Sequence, residues 1–189
     1  MEEKKKAMIK LVALCGKAGA GKDTVLRRIM ELYPEKFNEI VSCTTRPPRE
    51  GEREGVNYYF LTTEQFGEKI INGDMLECTV FRNWHYGTML SSLSRDKVNI
   101  GVFNPAGIAC LAEDKKVDLS VYWIDAPDRD RLVRQLLREN DPDIEEIFRR
   151  YKTDEEDFLD MDDFDYTLLK NVTKEDLETC ATLIERWTD

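Results

Sequence analysis

Met8-Ile9-Lys10-Leu11-Val12-Ala13-Leu14-Cys15-Gly16-Lys17-Ala18-Gly19-Ala20-Gly21-Lys22-Asp23-Thr24 is the stretch that decides the fold. Its first eight residues are an apolar run broken by a single lysine, the pattern of a buried strand. Gly16 to Lys22 then matches G-x-x-x-x-G-K. Beyond the loop, Val25, Leu26, Ile29, Met30 and Tyr33 recur on one face of a helix expected over Asp23 to Tyr33. Strand, glycine loop, lysine and helix in that order form a phosphate-binding loop. The glycines let backbone N–H groups curl around phosphate oxygens, and the helix N-terminus adds the positive end of its dipole. Gly16, Lys17, Ala18, Gly19, Ala20, Gly21, Lys22, Asp23 and Thr24 are therefore candidate ATP-binding residues, with Lys22 reaching the β- and γ-phosphates as a point charge.

Asp23 stands where this motif ordinarily carries Ser or Thr. A carboxylate cannot donate a hydroxyl hydrogen bond and adds negative charge beside phosphates. Its hard oxygens suit Mg²⁺, however, and Thr24 offers a hydroxyl one position later. Mg²⁺ is the expected cofactor, with Asp23 and Thr24 as the residues to hold it.

Working outward, short apolar runs alternate with amphipathic segments, the signature of an α/β fold. Strands are expected at Phe37 to Cys43, Val56 to Leu61, Met75 to Phe81, Trp84 to Tyr86, Val98 to Phe103, Leu119 to Ile124 and Tyr166 to Leu169. Thr62 with Gln65 makes a capping box for a helix reaching about Asn72. Pro105 and Pro127 open two more helices, the second running to about Asn140, and another begins near Pro142. Thr173 caps a last helix that ends near Trp187. At 189 residues this is one domain, and 41% hydrophobic residues are enough for a real core.

A formal net charge of −10 argues against a dedicated binder of nucleic acid or of acidic membranes. The acid-rich stretch Asp154 to Asp165 reads as a solvated surface. A single histidine leaves little room for His-based metal or Ser-His chemistry. Five cysteines without a C-x-x-C pair fit reduced, mostly buried thiols of a cytoplasmic protein. Lys4, Lys5 and Lys6 before an apolar run have the outline of a secretory leader. Lys10 interrupts that run and the glycine loop ends it, so no leader is expected. No stretch approaches the roughly 18 apolar residues of a membrane span.

A second motif follows: Ser42-Cys43-Thr44-Thr45-Arg46-Pro47-Pro48-Arg49-Glu50-Gly51-Glu52, continuing to Gly55-Val56-Asn57-Tyr58-Tyr59-Phe60. Two arginines three apart, stiffened by Pro47-Pro48, form a clamp for a compact phosphate dianion, to which Tyr58 can add a hydroxyl. Two more blocks are Asn72-Gly73-Asp74-Met75-Leu76-Glu77 and Asn83-Trp84-His85-Tyr86-Gly87-Thr88. In the order and spacing of phosphate loop, arginine loop, Glu and Tyr-Gly-Thr, the chain resembles the guanylate kinase family, strongly to Thr88 and more loosely beyond.

The resemblance implies a P-loop core with a central parallel sheet flanked by helices, a small mixed-β GMP-binding lobe and a helical lid. It divides the single domain 1–189 into a core of about residues 7–36 and 96–189, a lobe of about 37–95 and a lid of about 138–158. It implies that Arg46, Arg49, Tyr58 and Tyr86 hold the acceptor phosphate, while Ser42, Glu77 and Thr88 read the base beside Gly87. Guanine offers N1–H and an adjacent amine to a carboxylate, and adenine offers no such pair. Arg138 and Arg149 are similar to the family's lid arginines, which join Lys22 and Arg46 as the catalytic cations. Arg134 lies on the same face as Arg138, and Asn171 corresponds to a residue near the donor adenine.

The implied reaction is Mg²⁺-dependent transfer of the γ-phosphoryl group of ATP to GMP or dGMP, with no obligatory protein partner. One departure stands out: after the strand Val98 to Phe103 the family places aspartates, and this chain reads Val102 and Asn104. Asn104 remains a candidate GMP-binding residue. Two other readings stay open at this point, a nucleoside monophosphate kinase of altered base preference and a non-catalytic guanylate-kinase-like binding module.

Overall fold

The computed structural model describes residues 8–49, 51–81, 83–138, 141–159 and 161–188. In chain order its elements are β1 (Ile9–Cys15), α1 (Lys22–Leu32), β2 (Phe37–Glu39), β3 (Cys43–Thr44), β4 (Tyr59–Phe60), α2 (Thr63–Ile71), β5 (Met75–Phe81) and β6 (Trp84–Met89). Then come β7 (Val98–Val102), α3 (Pro105–Glu113), β8 (Val117–Asp125), α4 (Asp128–Leu136), α5 (Ile144–Asp157), β9 (Thr167–Lys170) and α6 (Lys174–Glu185).

The apolar run before the glycines is the middle strand of a five-stranded parallel sheet, ordered β2-β7-β1-β8-β9. A strand buried on both faces needs helices above and below it. Val12 and Leu14 of β1 face a core built with Val25 and Ile29 of α1 and with Cys180, Ala181 and Ile184 of α6. Leu11, Ala13 and Cys15 face the opposite core, which α3 closes with Ile108 and Leu111. Burying a Leu or Ile side chain contributes about 1.5–3 kcal/mol, so this two-sided packing holds the loop at the end of β1 on a rigid base.

A second, four-stranded sheet, ordered β4-β3-β6-β5, is mixed: β3 pairs parallel to β4 and antiparallel to β6. Phe66 of α2 packs beneath it with Cys43 and Met89. The structure corrects several expected boundaries here. The strand expected over Phe37 to Cys43 is two strands in different sheets. Ile40 still donates its N–H to Ile100 O at 2.8 Å, and the chain then crosses to the small sheet. Of Val56 to Leu61 only Tyr59–Phe60 pairs, because Val56 and Asn57 turn back onto the Arg53 carbonyl. Pairing with β5 carries β6 on to Met89.

The capping box at Thr62 and the caps at Asn104 and Thr173 form as their residue types predict. Helix α4 stops at Leu136; the expected end at Asn140 lies outside the described residues. No described helix is long and apolar enough to cross a membrane. Cys15, Cys43 and Cys180 are buried and free, and Cys78 and Cys110 are exposed and free.

Candidate active site

The carboxyl ends of β1 and β7 open onto a crevice, the place where open α/β sheets take ligands. At Gly16, φ is 147° and a Cβ would strike the carbonyl oxygen of Ile124 at the end of β8. Gly21, at φ 90°, is the N-cap of α1, and a Cβ there would strike the Asn171 amide. Glycine is thus required at both ends of the loop.

Between them the loop's carbonyls are held from behind. Arg134 donates to Gly19 O at 3.3 Å and Ala20 O at 3.2 Å, and to Asn171 O at 2.7 Å. Asn171 Nδ2 donates to Ala20 O at 2.9 Å. Arg131, only 3% exposed, donates Nε–H to Ala18 O at 2.9 Å. Its other nitrogens reach Asp128 at 2.6 Å and Asp154 at 2.8 Å, and its guanidinium sits 4.7 Å from the Tyr151 ring centroid. Asp154 in turn accepts the Ala18 N–H at 2.7 Å. Asp154 therefore does not belong to the solvated surface expected of the acid-rich stretch. The buried cation of Arg131 needs it, because an unpaired charge in the interior costs several kcal/mol. Burial pushes the Asp154 carboxyl up, opposed by the Ala18 N–H and by the charges of Arg131 and Lys22.

Lys22 Nζ donates to Gly16 O at 2.6 Å and Lys17 O at 3.3 Å, so its ammonium is curled into the loop it serves. Burial lowers its pKa foremost, opposed by the negative charges of Asp23 and Asp154. Asp23 and Thr24 are exposed on the first turn of α1, beside that ammonium. Among the described residues no three or more His, Cys, Asp or Glu gather into a preformed metal cage. The hard oxygens of Asp23 and Thr24 suit a divalent cation shared with phosphate oxygens.

From the loop a cleft of about 300 Å³ runs to the small sheet, with Gly16, Ala18 and Lys22 on one wall. Ser42, Arg49, Tyr58, Glu77, Tyr86, Gly87 and Asn104 line the other, and Arg150, Thr153, Asp154 and Asp157 of α5 close the side. At its deep end Glu77 is 8% exposed, and burial pushes its carboxyl up to about 7, against the favourable pull of the Thr88 N–H and hydroxyl. The Thr88 hydroxyl is wholly buried beside that carboxyl without a hydrogen bond of normal geometry.

At the other end positive charge collects. Arg46 is fixed by both oxygens of Glu52, at 2.9 and 3.0 Å, and stacks 5.4 Å from the Tyr58 ring centroid. Arg49 makes no ion pair through its guanidinium among the described residues. Its pKa is lowered by burial and then by the positive charges of Arg46 and Arg150. Three guanidiniums close enough to repel one another form a site for an anion.

The cleft brings together ten of the residues singled out in the sequence: Gly16, Ala18, Lys22, Ser42, Arg49, Tyr58, Glu77, Tyr86, Gly87 and Asn104. Lys17, Gly19, Ala20, Gly21, Asp23, Thr24, Arg46 and Thr88 lie behind or beside its wall. Arg134 and Asn171 brace the back of the loop. Arg138 is exposed and borders a smaller hollow between α4 and α5. Arg149 does not line the cleft: it pairs with Glu146 at 2.6 Å and donates to Thr153 at 3.3 Å, whereas the neighbouring Arg150, which also pairs with Glu146 at 2.9 Å, lines it. Arg150, Thr153, Asp154 and Asp157 fall at helical spacing on one face, a pattern readable in the sequence. Arg131 had no such signal, and nothing local pairs it with Asp154, since both hold the backbone of a distant loop.

Residues 8–187 match the family model for guanylate kinase. A guanylate kinase of Streptococcus pneumoniae is 34% identical over 179 residues, 93% of this chain and 86% of that protein. One from a Nostoc species is 31% identical over 180 residues, 93% of this chain and 87% of that protein. The crystal structure of guanylate kinase from Anaplasma phagocytophilum superposes with a TM-score of 0.70 at 24% identity, over 96% of this chain and 85% of that one.

Proposed function

The chain belongs to the guanylate kinase family and transfers a phosphoryl group from ATP to GMP, and we propose that it does so with the residues gathered in this cleft. The observation that carries the assignment is the polarity of the cleft. A buried carboxyl lies at one end, the Arg49 guanidinium, without an ion pair among the described residues, at the other, and a phosphate loop faces both.

The two oxygens of Glu77 accept N1–H and one amine hydrogen of guanine, while the hydroxyls of Ser42 and Thr88 serve O6. Arg46, Arg49, Tyr58 and Tyr86 hold the acceptor phosphate. Its oxygen is already ionised, so the transfer needs no general base, and catalysis is positioning plus charge neutralisation. Lys22 leaves the loop carbonyls for the β- and γ-phosphates of ATP. Residues of about 138–158, with helix α5, form the lid, with Arg150 and the exposed Arg138 as its cations. Guanylate kinases generally use a divalent metal; Mg²⁺, held by Asp23 or Thr24 and by phosphates, would neutralise charge on the transferring group.

ADP release measured with GMP, dGMP, AMP and CMP tests this reading. GMP and dGMP should exceed AMP by about 10³-fold in kcat/KM. Lys22→Ala should lower turnover by about 10³-fold while GMP binding persists. Equal use of AMP, or a Lys22→Ala enzyme that retains its turnover, would contradict it.

A further inference from the structure

The floor of the base-reading end is made by two side chains that reach the same point. A Cβ placed on Gly107 would lie 3.2 Å from Asn104 Oδ1 and 3.6 Å from Glu77 Oε2. Asn104 is the N-cap of α3, and its Oδ1 accepts the Gly107 N–H at 2.8 Å. A backbone N–H can only donate, so this bond fixes which end of the amide points to the helix. The cap takes one lone pair of the oxygen and turns that end of the amide toward the helix. The atom left for the cleft, which Asn104 lines, is Nδ2 with its two hydrogens, and it donates to no described residue.

Guanine and hypoxanthine present the same O6 and N1–H and differ only at C2, where guanine carries an amine. Glu77 can take N1–H and one amine hydrogen, which leaves the second amine hydrogen in need of another acceptor. The unpartnered atom of Asn104, the neighbour of Glu77 at Gly107, is a donor instead. The hydroxyls of Ser42, Thr79 and Thr88 can donate or accept, so they do not decide between the bases. An aspartate at position 104 would cap α3 equally well and turn a second oxygen toward the amine. With asparagine, one oxygen of Glu77 is the one charged acceptor left for the amine.

We propose that the acceptor site takes 6-oxopurine nucleoside monophosphates as a class, inosine monophosphate as well as GMP, because Asn104 turns a donor rather than an acceptor toward C2 of the base. The inference rests on the reading above that the base lies against Glu77.

The test is ADP release with GMP, IMP and AMP by the wild-type chain and by Asn104→Asp. One hydrogen bond to a charged group separates the two oxopurines, so wild-type kcat/KM for IMP should fall within about 100-fold of that for GMP. Asn104→Asp, which keeps the cap and hence the fold, should widen the GMP-to-IMP ratio by about tenfold or more. A wild-type preference for GMP beyond about 100-fold overturns the inference, as does an Asn104→Asp ratio that changes by less than about threefold. The wild-type ratio decides even if the variant folds poorly. Failure to use GMP, or use of AMP as readily as GMP, would instead sink the assignment of the base site itself.

Discussion

The two ends of the cleft are built on opposite plans. At the phosphate loop the protein supplies its own partners: Arg131, Arg134, Asn171 and Asp154 together hold the backbone groups of Ala18, Gly19 and Ala20. At the acceptor end the protein withholds them. Glu77 is buried with its carboxyl at about 7, the Thr88 hydroxyl beside it has no hydrogen bond of normal geometry, and Arg49 faces two like charges. With its carbonyls drawn outward, the loop keeps its remaining N–H groups for phosphate and enters the reaction already shaped. The acceptor end is completed by the nucleotide, whose N–H groups and phosphate are the partners it lacks. The first arrangement favours rate, and the second favours choice of base, because a wrong base leaves buried polar groups unpaired.

This contrast can be broken most severely at the loop. Arg131→Met leaves Asp154 buried without its cation and should cost about 3–5 kcal/mol in denaturant unfolding. Adding Asp154→Ala should recover part of that loss, since the two are directly coupled. Strictly additive losses would mean that the brace is not a unit.

A smaller effect is expected on α5. Arg150→Ala should lower kcat/KM by about 100-fold, because its charge lines the cleft and acts on Arg49, at the end proposed for the acceptor phosphate. Arg149→Ala, which loses a half-exposed pair with Glu146 and a bond to Thr153, should stay within about threefold. The reverse order would return the lid role to Arg149.

The smallest change concerns stability at the acceptor end. The Glu77 carboxyl lies above its ordinary 4.5, so the folded state favours the protonated form. Its stabilising contribution is present below about pH 4.5 and is lost as pH rises through about 7. Glu77→Gln carries no charge and should gain on the wild type across that interval, by up to about 3 kcal/mol at its upper end. Unfolding midpoints measured at both ends of the interval check the sign.

The loop was legible in the sequence because its glycines, lysine and flanking periodicity are local, and β1 and α1 follow from them. Glu77, Tyr86 and Arg49 were legible through their resemblance to a family and not through any period of their own. What escaped was long-range or rotational. Asp154 reads as one acid among many until a buried arginine and a backbone N–H claim it. Arg149 and Arg150 are adjacent, and about 100° of helix rotation separates their directions, so residue type alone does not tell which one faces the cleft. Phe37 to Cys43 reads as one strand, since nothing in its composition marks the step from one sheet to the other.

The claim that the nucleotide completes the acceptor end is tested most directly by GMP affinity against pH, in the wild type and in Glu77→Gln. The phosphate of GMP titrates alike in both proteins, so their difference isolates Glu77. Only the ionised carboxylate can accept two N–H groups. The wild-type affinity should therefore weaken, relative to the variant, by about tenfold for each pH unit below about 7. Curves that run parallel from about pH 5.5 to about 8.5 would contradict it, and would place guanine recognition elsewhere in the cleft.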